Sequence, residues 1–181
     1  FIADRLVDGI ILVAPPLQLL DQELPAERPP HVICALREDD PSRPWYQIDS
    51  ITADQEAGVE ALVSHLHDRG VRRFTHMSGA HDSYDAGKRQ SAFLRRTAEL
   101  GCESVVVEAG DQREHGYLSM KKLLDTDALP EGVVCFNDPI AGGAMEALRE
   151  AGLKVGRFVR VTGIDNDQAA EFLDLTTLAM P

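Results

Sequence analysis

The chain is short of positive charge, of cysteine and of long apolar runs, and each shortage closes off a class of function. Eighteen Lys and Arg face 30 Asp and Glu, for a formal charge of −12. Gripping a phosphate backbone takes clustered cations, so this segment is not built to hold nucleic acid, and its acidity serves solubility. Cys34, Cys102 and Cys135 are an odd number at wide spacing. Two of them lie in apolar, strand-like runs, which reads as buried thiols in a reducing, cytoplasmic setting. No apolar run is long enough to span a membrane, and no leader is expected. Catalytic signatures are missing too: there is no G-x-S-x-G elbow, no G-x-x-x-x-G-K-[ST] phosphate loop and no G-x-G-x-x-G. Gly87-Lys88 lacks the glycine loop that would have to precede it. His65 and His67 stand two apart and project from different helix faces, a poor metal pair, while His31, His76, His81 and His115 are scattered. Neither catalysis nor a metal or other cofactor is expected.

What is present is an alternation of strands and helices. Apolar runs at 9–14, 31–36, 72–77, 104–108, 133–136 and 158–163 read as short buried strands. Helical periodicity occupies roughly 54–69, 84–100, 115–125 and 138–151. Such alternation implies right-handed β-α-β units and parallel sheets, hence an α/β fold. Residues 15–30 hold five prolines around a Leu-rich segment and read as a loop, as do the charged, Pro-containing residues 37–47. Residues 71–174 supply four β-α units, a full lobe, whereas 1–70 supply two clear strands and one good helix.

The most informative stretch is V-C-F-N-D-P-I-A-G-G-A at 134–144. A strand ends at Asn137-Asp138-Pro139, and Ile140, Ala144, Leu148 and Ala151 then follow helical spacing. Two short polar side chains are thus delivered to the carboxyl edge of a sheet, where α/β proteins bind ligands. Asp138 can cap the helix, with Pro139 at its first position. Asn137 has no such evident duty and is the first residue suspected of touching a ligand. Asp54 reads as the cap of the helix over 54–69, with ligand contact as the lesser reading. Asp85 and Arg89 share a helix face as an ordinary ion pair or as part of a site. Asp165 follows a strand and serves as a turn residue or as a hydrogen-bond acceptor for a ligand.

Five ordered segments resemble the LacI/GalR family of bacterial transcriptional regulators. Residues 134–144 are similar to its A-N-D-x-x-A-x-G-A, and Leu6–Leu12 to its R-V-D-G-I-I-L. Residues 66–79, L-H-D-R-G-V-R-R-F-T-H-M-S-G, resemble L-x-x-x-G-H-R-R-I-A-x-I-x-G, and 85–93 resemble x-x-x-x-R-x-x-G-F. Residues 161–166 and 175–177, V-T-G-I-D-N and L-T-T, resemble V-V-G-F-D-N followed by L-T-T. Val71 replaces the usual His, Ser91-Ala92 the usual residue-Gly pair, and Thr162 a Val; none strikes an expected contact.

The resemblance implies a fold like that of the type I periplasmic binding proteins: two parallel-sheet lobes, the first incomplete. Residues 1–70 would be part of the N-terminal lobe, 71–178 the C-terminal lobe, and 179–181 the start of a crossover back. The hinge would fall near Gly70-Val71, with a second crossing near Leu178. It also implies a regulator that binds a small, sugar-like effector between the lobes, dimerises, and binds DNA through a helix-turn-helix that these residues do not include. Arg89 falls on the arginine that the family points into the effector cleft, and Asp85 on a polar position near the ligand. Asn137 and Asp165 fall on cleft positions of its motifs. Family members often carry an aromatic near Gln112, where this chain has none; Tyr84 can stand in for it. The rival readings are a solute-binding protein of a transporter, which shares the fold, and an α/β enzyme.

Overall fold

The structure, a computed structural model, describes residues 8–13, 31–34, 41–42, 46, 48–81, 83–126 and 129–180. They fall into two compact units, one taking in residues up to 53 together with 83–85 and the other built from 54–81 and 86 onward. The Pro-rich loop expected over 15–30 lies outside the described residues, as does most of that over 37–47.

In the first unit, β1 (Ile10–Val13), β2 (His31–Cys34) and β3 (Asp49–Ile51) form a parallel sheet in that order. Ile11 aligns with Val32, and Ile33 with Ser50. The first two strands match the expected apolar runs. Three polar-to-apolar residues, Asp49-Ser50-Ile51, are too few to show a period, so β3 left no sequence signal.

From residue 55 onward the described chain alternates helix and strand: α1 (Gln55–Asp68), β4 (Arg73–Ser78), α2 (Tyr84–Glu99), β5 (Glu103–Glu108), α3 (Arg113–Leu124), β6 (Gly132–Cys135), α4 (Asp138–Glu150), β7 (Arg160–Asp165), α5 (Gln168–Leu173) and β8 (Thr176–Ala179). Asp54 caps α1 as expected, its Oδ1 accepting from the Ala57 amide at 2.9 Å. Val59, Leu62, Val63 and Leu66, three or four apart, are all buried and give α1 its packed stripe.

The five strands run parallel in the order β5-β4-β6-β7-β8. Strand alternation divides the core between two faces. Phe74, Val134 and Ile164 pack with α1 and Phe93 of α2 on one face. Met77, Val133, Cys135 and Val161 meet Met120 of α3 and Ile140, Ala144 and Leu148 of α4 on the other. Cys135 is fully buried, and desolvation pushes its thiol up, so it stays protonated and inert. Because the chain moves from β4 to β5 on one side and to β6 on the other, the winding reverses between β4 and β6. A crevice opens outside the strand ends at such a reversal, and ligands of doubly wound sheets bind there.

Candidate functional site

The reversal point is occupied by an arginine that the fold holds still. Arg89, on the second turn of α2, is 4% exposed. Its Nε donates to Gln55 Oε1 at 2.8 Å, and its Nη1 donates to the Phe136 carbonyl oxygen. The guanidinium carbon stands 4.5 Å from the centroid of the Phe136 ring, a cation–π contact. One side chain thereby ties the start of α1, α2 and the β6–α4 junction together. Gly79, just past β4, makes room for this: a Cβ there would lie 2.9 Å from Phe136 Cδ1, so any larger residue displaces the ring beneath the guanidinium.

Asn137, one residue on, uses both ends of its amide. Oδ1 accepts from the Ile140 amide at 2.9 Å, and Nδ2 donates to the Asp111 carbonyl at 2.9 Å. Asn137 is therefore the cap of α4, which corrects the reading that gave this duty to Asp138. Asp138 is instead drawn into the fold and is 2% exposed. Its Oδ1 accepts from the Thr177 hydroxyl at 2.6 Å, and its Oδ2 from the Asp167 amide at 2.8 Å. Burial pushes its carboxyl up, with the Thr177 and Asp167 bonds opposing. Gly163 faces it so closely that a Cβ would sit 2.1 Å from Oδ1. These partners come from elements far along the chain, so short-range pattern could not reveal them.

The Thr177 hydroxyl also accepts from the Asn166 backbone N–H at 3.2 Å, which pins the end of β7. There Asp165 has φ 118° and Asn166 φ 56°, two successive non-glycine residues at positive φ. Asn and Asp tolerate the left-handed region best, but φ near 118° lies outside it and carries strain. Strain of this kind persists where the surroundings impose it and clusters at ligand-binding positions. The Asp165 side chain is exposed.

Gln112 precedes α3, exposed, with its backbone N–H donating to His115 Nδ1 at 3.3 Å. It follows Asp111, the residue that Asn137 holds. Tyr84 and Asp85 open α2, both half-buried, one turn before Arg89. The fold thus connects Arg89, Asn137 and Gln112 through Phe136 and Asp111, and Asp165 through Asp138 and Thr177. Two contributors escaped the sequence reading. Gln55 was passed over beside Asp54, and Thr177, inside L-T-T, carried no assigned role. Among the described residues no three His, Cys, Asp or Glu side chains cluster closely enough to hold a metal, and no helix is long and apolar enough to cross a membrane.

Comparison with known proteins agrees with this architecture. The periplasmic binding protein-like domain family matches residues 63–181. The transcriptional repressor MelR of Bacillus subtilis (strain 168), of the helix-turn-helix type, is 34% identical over 72% of this chain. The chain belongs to the LacI/GalR family. The PurR repressor of Vibrio atlanticus is 27% identical over 99% of the chain. A LacI transcriptional regulator from a Rhodococcus species superimposes with a TM-score of 0.82 at 26% identity, covering 97% of this chain. The chain spans 41% of the MelR length, 54% of the PurR length and 65% of the Rhodococcus chain. It corresponds to the effector-binding region of a LacI/GalR protein. These relatives, MelR and PurR, are transcriptional repressors.

Proposed function

We propose that this chain senses a small polar effector, a sugar or sugar derivative, at the carboxyl edge of the five-stranded sheet. The observation that carries the reading is Arg89: a buried guanidinium fixed by Gln55, the Phe136 carbonyl and the Phe136 ring at the point where the sheet winding reverses. A fixed planar donor suits hydroxyl, carboxylate or phosphate oxygens and loses little freedom on binding. Asp165, exposed on strained backbone, supplies an acceptor for ligand hydroxyls, and we assign Asn137, Gln112, Tyr84 and Asp85 to the same recognition set. Binding occurs without chemistry. A ligand that prefers a closed arrangement shifts the population toward it. In the intact cytoplasmic regulator, a homodimer, this shift changes the hold of helix-turn-helix heads on DNA.

A thermal-shift screen of sugars, sugar phosphates and nucleosides tests the reading, with Asp165→Asn alongside. Asparagine accepts positive φ but removes the charge, so the fold is kept. One compound at 100 times its dissociation constant is expected to add about 2.7 kcal/mol, or roughly 5–11 °C, and to lose most of that effect in Asp165→Asn. No active compound, or one that Asp165→Asn leaves unaffected, would sink the proposal.

A further inference from the structure

A cavity of about 440 Å³ opens at the opposite edge of the same sheet from Arg89, where β7 and β8 begin. Arg69, Arg149, Lys154, Arg160 and His65 line it, against a single carboxylate, Asp174. In a chain of charge −12 such a gathering of cations runs against composition. Four arginines elsewhere are paired: Arg95 with Glu56 and Glu60, Arg113 with Glu146, Arg73 with Glu131 and Arg96 with Glu99. Among the described residues, none of Arg69, Arg149, Lys154 and Arg160 stands within ion-pair distance of a carboxylate.

Helix ends account for two of the four. Arg69 donates to the His65 carbonyl at 3.1 Å near the end of α1, and Arg149 to the Leu173 carbonyl at 3.5 Å at the end of α5. Both complement the negative end of a helix dipole. Lys154 and Arg160 have no such duty. They belong to the turn before β7 and to its first residue, yet they face the same space as the helix-end arginines. The cavity also has an apolar floor, with Leu66, Met145 and Val161, and a buried hydroxyl, Thr162. Cations around an apolar floor suit a molecule with an anionic head and a carbon body, and the volume falls in the range of small-ligand sites. Guanidinium groups pair with phosphate and carboxylate oxygens in bidentate fashion.

We infer that this cavity is a second binding site, for a small organic anion bearing phosphate or carboxylate groups. It is separate from the Arg89 site. Arg160 and Asp165 are the two ends of β7, about 16 Å apart along an extended strand, so no one small ligand reaches both.

Calorimetric titration of the full chain at low ionic strength tests this, using inorganic pyrophosphate and citrate as separate probes. Lys154→Ala/Arg160→Ala is the pocket variant. Lys121→Ala/Lys122→Ala, on exposed positions of α3 outside the cavity, removes the same charge elsewhere. At least one probe is expected to bind saturably below about 1 mM. The pocket variant should weaken it by about tenfold or more, and the α3 variant by less than about twofold. Equal weakening by both variants, or no saturable binding of either probe, overturns the inference. Far-ultraviolet circular dichroism verifies that both variants are folded.

Discussion

Gly143→Ala is expected to destabilise the protein by about 3 kcal/mol or more and to lower its melting temperature by roughly 6–12 °C. A Cβ on Gly143 would lie 1.9 Å from the Arg113 carbonyl oxygen and 2.7 Å from the Tyr117 nitrogen. Facing it across the same crossing, a Cβ on Gly116 would lie 2.1 Å from the Ile140 carbonyl oxygen. The two glycines let α3 and α4 touch backbone to backbone, and neither contact can be relieved by turning a side chain. The crossing lies near the start of both helices, so it also sets the Asn137–Asp111 bond that joins Asn137 to Gln112. Gly142→Ala is the internal control. Its Cβ would meet only Leu173 Cδ1 at 3.3 Å, and alanine favours a helix over glycine by about 1 kcal/mol. Differential scanning calorimetry should therefore show a large drop for Gly143→Ala and a change within about 1 kcal/mol for Gly142→Ala. Equal small effects would mean the helices are not in contact there.

The second large effect comes from acid. His76 on β4 is fully buried, its ring stacked on Phe93 with centroids 5.1 Å apart. Its Nδ1 lies 2.8 Å from the Val134 carbonyl, so Nδ1 carries the proton and donates. Nε2 has no partner among the described residues. Burial holds its pKa down to about 4; the Val134 bond opposes that shift and the charge of Arg89 adds to it. A base whose folded pKa is depressed contributes stability that is present above its unfolded pKa, near 6.5. That stability is lost as pH falls, because the unfolded chain takes up the proton first. The loss between pH 6.5 and 4 is expected to reach about 3 kcal/mol. Urea unfolding across that window should give a clearly flatter slope for His76→Gln, which stays neutral and still offers an N–H to Val134. Parallel curves for the two proteins would show that His76 is hydrated in the native state.

The same contacts explain what could be read from residues alone. Helices and strands with several periodic apolar positions were legible: α1 through Val59, Leu62, Val63 and Leu66, and β4 through the run that became Arg73–Ser78. The elements that left no signal are short. The six residues of α5 make fewer than two turns, and the edge strand β8, T-T-L-A, carries no apolar run. At the site, Arg89 and the β6–α4 junction stood out because local pattern and family motif agree there. The exchange of roles between Asn137 and Asp138 did not. Both residue types cap helices equally well, and what decides between them is Thr177 and the Asp167 amide, brought close only by folding. Gln55 is a similar case, since its partner Arg89 lies 34 residues along the chain.

Hydrogen exchange with and without the effector found by screening tests the central claim most directly. A ligand seated at the carboxyl edge of the five-stranded sheet should slow exchange in the segments 84–90, 110–113, 136–141 and 164–167. The segments at the opposite edge, around Arg149 and Arg160, should be unchanged. Protection at that opposite edge alone, or none near Arg89 and Asp165, would contradict the assignment of the effector site.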